Sequence, residues 1–399
     1  MRSLGLSQPE RNKVVLDFTR TIIFFDQSGE IQLAMKLEVL QQDLLPAIQS
    51  VSRSVGVKST LPVLGNILLA TESSRLKIAA TNLEIGVIKL ISAKITEDGE
   101  ITIPAKIISD LIASLPATTI TIETNGDLVK ITANKFSAEI NGIPASEFPV
   151  IPTSTEDSVS FKRQILKDYA RVMFAASGDG GRPVLTAILT SAHLGKLDLV
   201  ATDGFRLAHQ QVILPEQKVS FKSLIPKKTL EEVLRIIDED SADEVLLSTS
   251  ANQNQIIFNI GKTIVSSRLI EGNFPAWEKI IPTEYKTRII IDRVSLAQAI
   301  KLASVFAKTE ANVITFDISQ EVIVSSETKE LGAQTNELDC QIEGEPLKIA
   351  FSAKFLADAV SASDAASLMI EFSTPLSPAL IKPIGIEGLE YIVMPVRQS

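Results

Sequence analysis

The sequence predicts an α+β protein made of three tandem copies of one domain, each with two helices packed on antiparallel sheet. Three observations carry this. Long phrases recur at a spacing of about 124 residues, each copy holds two amphipathic helices among short alternating strands, and the strands are joined by hairpin-length turns. Ile103-Pro104-Ala105-Lys106 returns as Ile225-Pro226-Lys227-Lys228 after 122 positions and as Phe351-Ser352-Ala353-Lys354 after a further 126. Leu76–Asn82 matches Leu197–Asp203 at 121 and Val322–Thr328 at a further 125, and Glu147-Phe148-Pro149 matches Asn273-Phe274-Pro275 at 126. Periods of 20–50 residues build solenoids, so a period this long means whole domains in a row. The expected division is an N-terminal extension over 1–34 and domains over 35–152, 153–282 and 283–399. The first repeat begins near Met35. The opening segment reads as an extension that could add a strand to a sheet edge, or as a start codon placed too far upstream.

Each copy opens with an extended segment and a helix, expected over Leu40–Ser54, Phe161–Ala176 and Val294–Lys308. Alternating strands follow. In the second copy they are Thr186–Ala192 and Lys196–Thr202, with Leu197, Leu199 and Ala201 on one face. The second helix, Ala105–Leu115, Lys227–Ile237 or Ala353–Ser361, is opened by the repeated Pro-Lys or Ser-Ala-Lys phrase. A proline is harmless there because the first helical N–H has no partner in the helix. Further strands are expected at Ile120–Glu123, Val129–Ala133, Glu244–Ser248 and Gln255–Ile260. Turns such as Asn125-Gly126-Asp127 are too short for parallel crossovers, so the sheets are antiparallel, with helices on one face.

Composition narrows the function. With 45% hydrophobic residues the chain can fill several cores, and with 5% aromatics Leu, Ile, Val and Ala must fill them. One cysteine, Cys340, excludes a disulfide framework and points to a reducing, cytoplasmic setting. Two histidines, His193 and His209, are too few for a histidine-rich metal centre, and no cofactor is expected. No stretch reaches the roughly 18 apolar residues of a membrane span, and Val14–Phe25 is broken by Asp17, Thr19 and Arg20. Walker-type loops, G-x-S-x-G elbows and H-E-x-x-H pairs are absent. Gly178-Asp179-Gly180-Gly181-Arg182 lacks the Lys-Ser/Thr of a phosphate cradle and reads as a helix cap and loop. Asp203 with His209 is the one pairing worth weighing for acid–base chemistry. Asp-Gly is first a turn signal, and the first copy has Asn82-Leu83 there, so no catalytic residue is assigned.

The net charge of −9 argues against a nucleic-acid partner until its distribution is counted. Counted over 39–58, 104–115, 161–176, 226–237, 293–308 and 351–363, the helical stretches with their flanks carry +8 together, which leaves −17 for the rest of the chain. In the third helix Arg163, Lys167 and Arg171 fall at i, i+4 and i+8, opposite Ile165, Tyr169, Val172, Met173 and Ala176. Like charges at that spacing cost the helix a little, and a facing polyanion explains them. Lys228 with Arg235, and Lys301 with Lys308, repeat the pattern at i, i+7. Cations gathered on one surface would bind phosphates without reading bases. The alternative is a repeat-built protein-interaction scaffold that does not encircle DNA.

Thr60-Leu61-Pro62-Val63-Leu64-Gly65-Asn66-Ile67, Ala201-Thr202-Asp203-Gly204-Phe205-Arg206-Leu207-Ala208, Gly272-Asn273-Phe274-Pro275 and Tyr391-Ile392-Val393-Met394-Pro395-Val396-Arg397 resemble, in order and spacing, the beta sliding clamps, the processivity subunits of bacterial DNA polymerase III. The resemblance implies a head-to-tail homodimer whose six clamp-type domains form a ring around double-stranded DNA. It also implies a non-catalytic protein that docks the replicative polymerase, the clamp loader, other polymerases and repair proteins through short linear peptides. Its peptide pocket would comprise Leu185, Thr202, Gly204, Phe205, Arg206 and Leu207, then Pro275, Ile280 and Pro378, then Ile392, Val393, Met394, Pro395, Val396 and Arg397. Apolar walls would take Leu and Phe anchors, with Thr202 and Arg206 as polar rim groups. DNA-contacting positions carried over are Lys58, Lys106 and the neighbourhood of Arg182. There Asp179 and Pro183-Val184 depart from the polar or aromatic residues of other members. The helix stripes add Arg163, Lys167, Arg171, Lys228 and Lys301. At the dimer seam Phe136 would meet Val305 and Phe306. No membrane is expected among the partners.

Overall fold

The computed structural model describes residues 23–25, 31–56, 59–153, 158–214, 219–240, 242–249, 254–307, 312–328 and 332–397. They form two compact units. One holds the described residues up to 153 together with Asn259–Ser266, and the other holds the rest. The boundary expected between the second and third repeats falls inside the second unit.

The repeated helix pair is present in each copy. The first unit carries α1 (Gln41–Ser52) and α2 (Ala105–Ser114), and the second carries α3 (Arg163–Val172), α4 (Lys227–Glu239), α5 (Arg293–Phe306) and α6 (Ala353–Ser361). The two helices of each copy pack on each other. Pro104 and Pro226 stand where the sequence pattern puts them: each ends a strand and serves as the N-cap of the next helix. Among the described residues no helix is long and apolar enough to cross a membrane.

In the first unit, Phe136–Asn141, Leu128–Ala133, Thr119–Asn125, Lys36–Leu40 and Lys94–Glu97 lie side by side in that order, with Phe136–Asn141 at one edge. Ile85–Ser92, Arg75–Thr81, Asn66–Glu72 and Glu100–Pro104 make a second run of neighbouring strands. The segment 259–266 lies beside its outer strand, where the Leu90 N–H donates to the Lys262 carbonyl at 3.0 Å. Aliphatic residues fill this interior, among them Leu37, Leu44, Ile48, Ile67, Ile78, Ile108 and Ile131, all fully buried. Ile23–Phe25 and Ile31–Leu33, from the expected extension, pair with each other antiparallel and do not extend another sheet.

In the second unit nine strands form one antiparallel sheet. Its order is Phe221–Pro226, Ala187–His193, Lys196–Thr202, Arg206–Ile213, Leu389–Val393, Ala379–Pro383, Ser367–Phe372, Thr287–Asp292 and Cys340–Gly344. The join between the second and third repeats is the ladder from Arg206↔Val393 to Gln210↔Leu389. Gly332–Leu338, Val322–Thr328, Val313–Ile318 and Leu347–Ser352 make a four-stranded sheet with Gly332–Leu338 at its edge. The scarce aromatics are concentrated here: Tyr169, Phe258, Phe316, Phe351, Phe372 and Tyr391 are fully buried. The helix expected over Phe161–Ala176 is α3 only to Val172, followed by the 3-10 turn Met173–Ala175; its expected apolar face, Ile165, Tyr169, Val172, Met173 and Ala176, is buried throughout.

Two of the buried tyrosines differ in a way that stability can read. The Tyr169 hydroxyl is 3.1 Å from Thr190 Oγ1, whereas the Tyr391 hydroxyl is buried with no hydrogen-bond partner among the described residues. Tyr169→Phe strands Thr190 and is expected to cost about 1–2 kcal/mol in a denaturant titration. Tyr391→Phe removes an unsatisfied group and is expected to be neutral or stabilising in the same titration.

Candidate functional site

All fifteen residues expected at the peptide pocket lie in the second unit, around the strand ladder that joins its two repeats. The turn from Thr202 to Arg206 shapes one end. Asp203 Oδ1 accepts from the N–H groups of Phe205 at 2.9 Å and Arg206 at 3.0 Å, and Gly204 sits at φ +93°, a conformation that glycine adopts without strain. Thr202 Oγ1 accepts from the Gly204 N–H at 3.1 Å and donates to the Arg206 carbonyl at 2.6 Å. The turn drives Phe205 outward, where it is 57% exposed.

Arg206 is turned the other way and is only 8% exposed. Its Nε lies 3.0 Å from Asp203 Oδ2 and its Nη1 2.5 Å from Asp358 Oδ2 on α6. The guanidinium lies over the rings of Phe355, at 4.8 Å, and Phe174, at 5.3 Å, and Phe205 stacks on Phe355 with centroids 6.0 Å apart. Cation–π geometry of this kind holds an arginine as firmly as a salt bridge does. Of the two residues expected as polar rim groups, Thr202 Oγ1 and Arg206 Nε and Nη1 are thus engaged inside the protein, and the side chain that this turn exposes is Phe205.

The apolar wall is continuous. Leu207 stands opposite Ile392 in the ladder, and both join a buried cluster with Ala187, Leu189, Val200, Leu224 and Leu380. Half-buried Val184, Ile270, Phe274, Trp277, Ile280 and Ile281 lie against that cluster. Leu185 is buried, Pro275 is exposed, and Pro378 is half-buried just ahead of the strand Ala379–Pro383. Val393 closes the last strand, pairing with both Arg206 and Ala379. Met394, Pro395 and Val396 run on half-buried, tied by Met394 N–H to the Phe205 carbonyl (2.9 Å) and Val396 N–H to the Ala350 carbonyl (2.8 Å), and Arg397 is exposed. Sequence reasoning missed Phe174, Phe355 and Asp358, which carry no local signal. It also missed Trp277, which two residues' distance from Pro275 could have suggested.

The basic residues divide by type. Lys106, Lys167, Lys228 and Lys301 are exposed on α2, α3, α4 and α5, and none makes an ion pair among the described residues. Arg163 instead pairs with Asp238 at 3.5 Å and donates to the Asp240 carbonyl at 2.9 Å. Arg171 pairs with Asp168 at 2.7 Å and with Asp364 at 3.4 Å. Burial pushes the Asp168 carboxyl above its usual range despite that partner. Arg235 pairs with Glu232 and with Glu239. The stripe on α3 thus has one uncompensated charge, Lys167, between two engaged arginines. α4 also runs past its expected end, and Asp238 and Glu239 reduce its positive balance. Arg182 is exposed. Asp179 is occupied within its own loop, accepting from the Gly181 N–H at 2.9 Å, while Pro183 opens a 3-10 turn and Val184 faces the apolar cluster. Lys58 and Lys308 lie outside the described residues.

The residues expected at a dimer seam are on surfaces. Phe136, 37% exposed, begins the edge strand Phe136–Asn141 of the first unit. In the second unit Val305 is 51% exposed on α5, one turn from exposed Leu302, with Phe306 half-buried beside it. Asp203 and His209, weighed for acid–base chemistry, have separate partners: Asp203 holds its turn and Arg206, and His209 lies between Asp198 and Glu390. Because Arg206 is a buried cation shared by two carboxylates, Arg206→Ala leaves both unpaired. It is expected to cost on the order of 3 kcal/mol in a denaturant titration.

Comparison with known proteins bears on the order of the repeats. Three family models match in order: the DNA polymerase III beta subunit N-terminal domain over residues 35–152, its central domain over 159–276 and its C-terminal domain over 278–397. A beta sliding clamp from Synechocystis is 30% identical over 394 residues, covering 91% of this chain and 99% of the relative, and one from Synechococcus elongatus is 29% identical over 376 residues, again covering 91% and 99%. The crystal structure of the DNA polymerase sliding clamp from Bacillus subtilis superposes with a TM-score of 0.88 at 28% identity, covering 92% of this chain and 100% of that one. The chain belongs to the DNA polymerase III beta subunit family, the sliding clamps.

Proposed function

We propose that the chain is a DNA sliding clamp, a non-catalytic processivity subunit that encircles duplex DNA and tethers a replicative polymerase. The observation that carries this reading is the set of four exposed helix lysines, Lys106, Lys167, Lys228 and Lys301, which make no ion pair among the described residues of a chain of net charge −9. A lysine ammonium is a hydrated point charge suited to loose phosphate contact, and such contacts let a protein slide. Arg163 and Arg171 are engaged internally, so their share of DNA contact falls to Lys167 in this reading. Arg182 and Lys58 complete the proposed set.

In this reading two copies close head to tail into a ring of six domains, divided in each chain at 152 and 282. Phe136 of one copy meets Val305 and Phe306 of the other. The open edges of Phe136–Asn141 and Gly332–Leu338 support such a seam, because an unpaired strand edge is a ready template for pairing. The apolar wall around Leu207, Ile280 and Ile392, with Phe205 and Met394 at its margin, takes Leu and Phe side chains of partner peptides from the polymerase, the clamp loader and repair proteins. The work is done in the cytoplasm, in keeping with the single unpaired cysteine, Cys340.

The test is topological. Loaded onto a nicked circular plasmid by its clamp loader, the protein is expected to stay bound through gel filtration and to leave when the plasmid is cut once. Equal retention on circle and line would favour a scaffold that never encircles DNA. In direct binding at low salt, changing the four lysines to alanine is expected to reduce the slope of log affinity against log salt by about 1 per lysine.

A further inference from the structure

His209 is buried in the middle of the strand Arg206–Ile213 and is held on both nitrogens. Nε2 lies 2.9 Å from Asp198 Oδ1 on the neighbouring strand Lys196–Thr202, and Nδ1 lies 2.8 Å from Glu390 Oε1 on Leu389–Val393. A neutral imidazole has one N–H, so only the imidazolium can donate to both carboxylates at once. The ring of Trp277 lies against it, with centroids 4.3 Å apart and planes at 45°. Gln211 Nε2 donates to Asp198 Oδ1 at 3.0 Å, Lys196 acts on Asp198 from the same strand, and Glu278 and Lys279 follow Trp277 as exposed residues.

Trp277 opens the 3-10 turn Trp277–Lys279, which runs straight into Ile280, and Pro275 stands two residues before it. Trp277 and Ile280 both lie against the cluster of Leu207 and Ile392. We propose that His209 is a positioning residue for the peptide pocket: its imidazolium, gripped by Asp198 and Glu390, holds Trp277 and with it the Pro275–Ile280 wall, so that peptide affinity falls when the ring loses its proton. The inference rests on the pocket reading given above.

The direction follows from the surroundings. Burial of the ring opposes its charge, but the hydrogen bonds to Asp198 and Glu390 outweigh burial and hold the His209 pKa above the ordinary histidine value. A raised value means that the grip is complete below about pH 6.5 and is lost as pH rises through the elevated pKa.

Trp277 is the chain's one tryptophan, so intrinsic tryptophan fluorescence reports on the surroundings of this one ring, the His209 contact among them. The experiment follows that fluorescence from about pH 6 to about pH 9 in the full-length protein. In parallel it measures affinity for a short labelled peptide with Leu and Phe anchors, blocked ends and no titratable side chain. Imidazolium quenches indole, so emission is expected to rise in one transition while affinity falls about two- to fivefold through the same pH window, the range of a partly exposed cation–π contact. His209→Gln is expected to abolish the fluorescence transition and flatten the affinity profile. Glu390→Gln, which keeps the histidine, is expected to move both curves together to lower pH. Affinity that is independent of pH in the parent protein, or that keeps its profile in either variant, overturns the proposal. A peptide that fails to bind at any pH removes the pocket reading itself, and this inference with it.

Discussion

Between Arg206 and Gln210 the chain pairs residue for residue with Val393 down to Leu389. That ladder makes one nine-stranded sheet out of two repeats. Its register decides what meets what: Leu207 opposite Ile392 builds the apolar wall, His209 opposite Glu390 builds the charged grip, and Arg206 opposite Val393 sets the Phe205 turn at the margin. A slip of one residue would turn each of these to the wrong face, so the site and the join between repeats are one constraint.

The division of labour between arginine and lysine follows from their chemistry. A guanidinium forks onto carboxylates and stacks on rings, and it is less strongly hydrated than an ammonium. Arg206, Arg171 and Arg163 accordingly hold elements of the fold together, the first between Phe174 and Phe355, and Arg235 pairs with Glu232 and Glu239 along α4. Lys106, Lys167, Lys228 and Lys301, by contrast, are exposed on α2, α3, α4 and α5. A count of positive charge by helix treats the two residues alike and so overstates the free charge on α3 and α4. The acidic partners that neutralise the arginines include Asp238, Glu239 and Asp364, beyond the stretches that were counted.

The second helix of each copy was legible because a repeated phrase marks its start. α6 spans Ala353–Ser361, as expected, and α2 ends one residue short. The end of α4 was not, since nothing in Ile237-Asp238-Glu239 stops a helix before Asp240. The strand Lys196–Thr202 was legible from alternation alone. The pocket was legible only through family resemblance. Read by themselves, Leu207 and Ile392 are ordinary core residues, and nothing near Arg206 in sequence announces Asp358, 152 positions away, or near His209 announces Glu390, 181 positions away. Contacts of that range are set by the sheet order, which local pattern does not encode.

Native-state hydrogen exchange on the backbone amides of Leu207–Gln210 and Leu389–Val393 tests the central claim most directly. If the ladder is the constraint on which the second unit depends, these amides exchange only in the opening that also exposes the strands on either side, Lys196–Thr202 and Ala379–Pro383, at one common free energy. Exchange of the ladder well ahead of those neighbours, with the second and third repeats opening separately, would contradict the account.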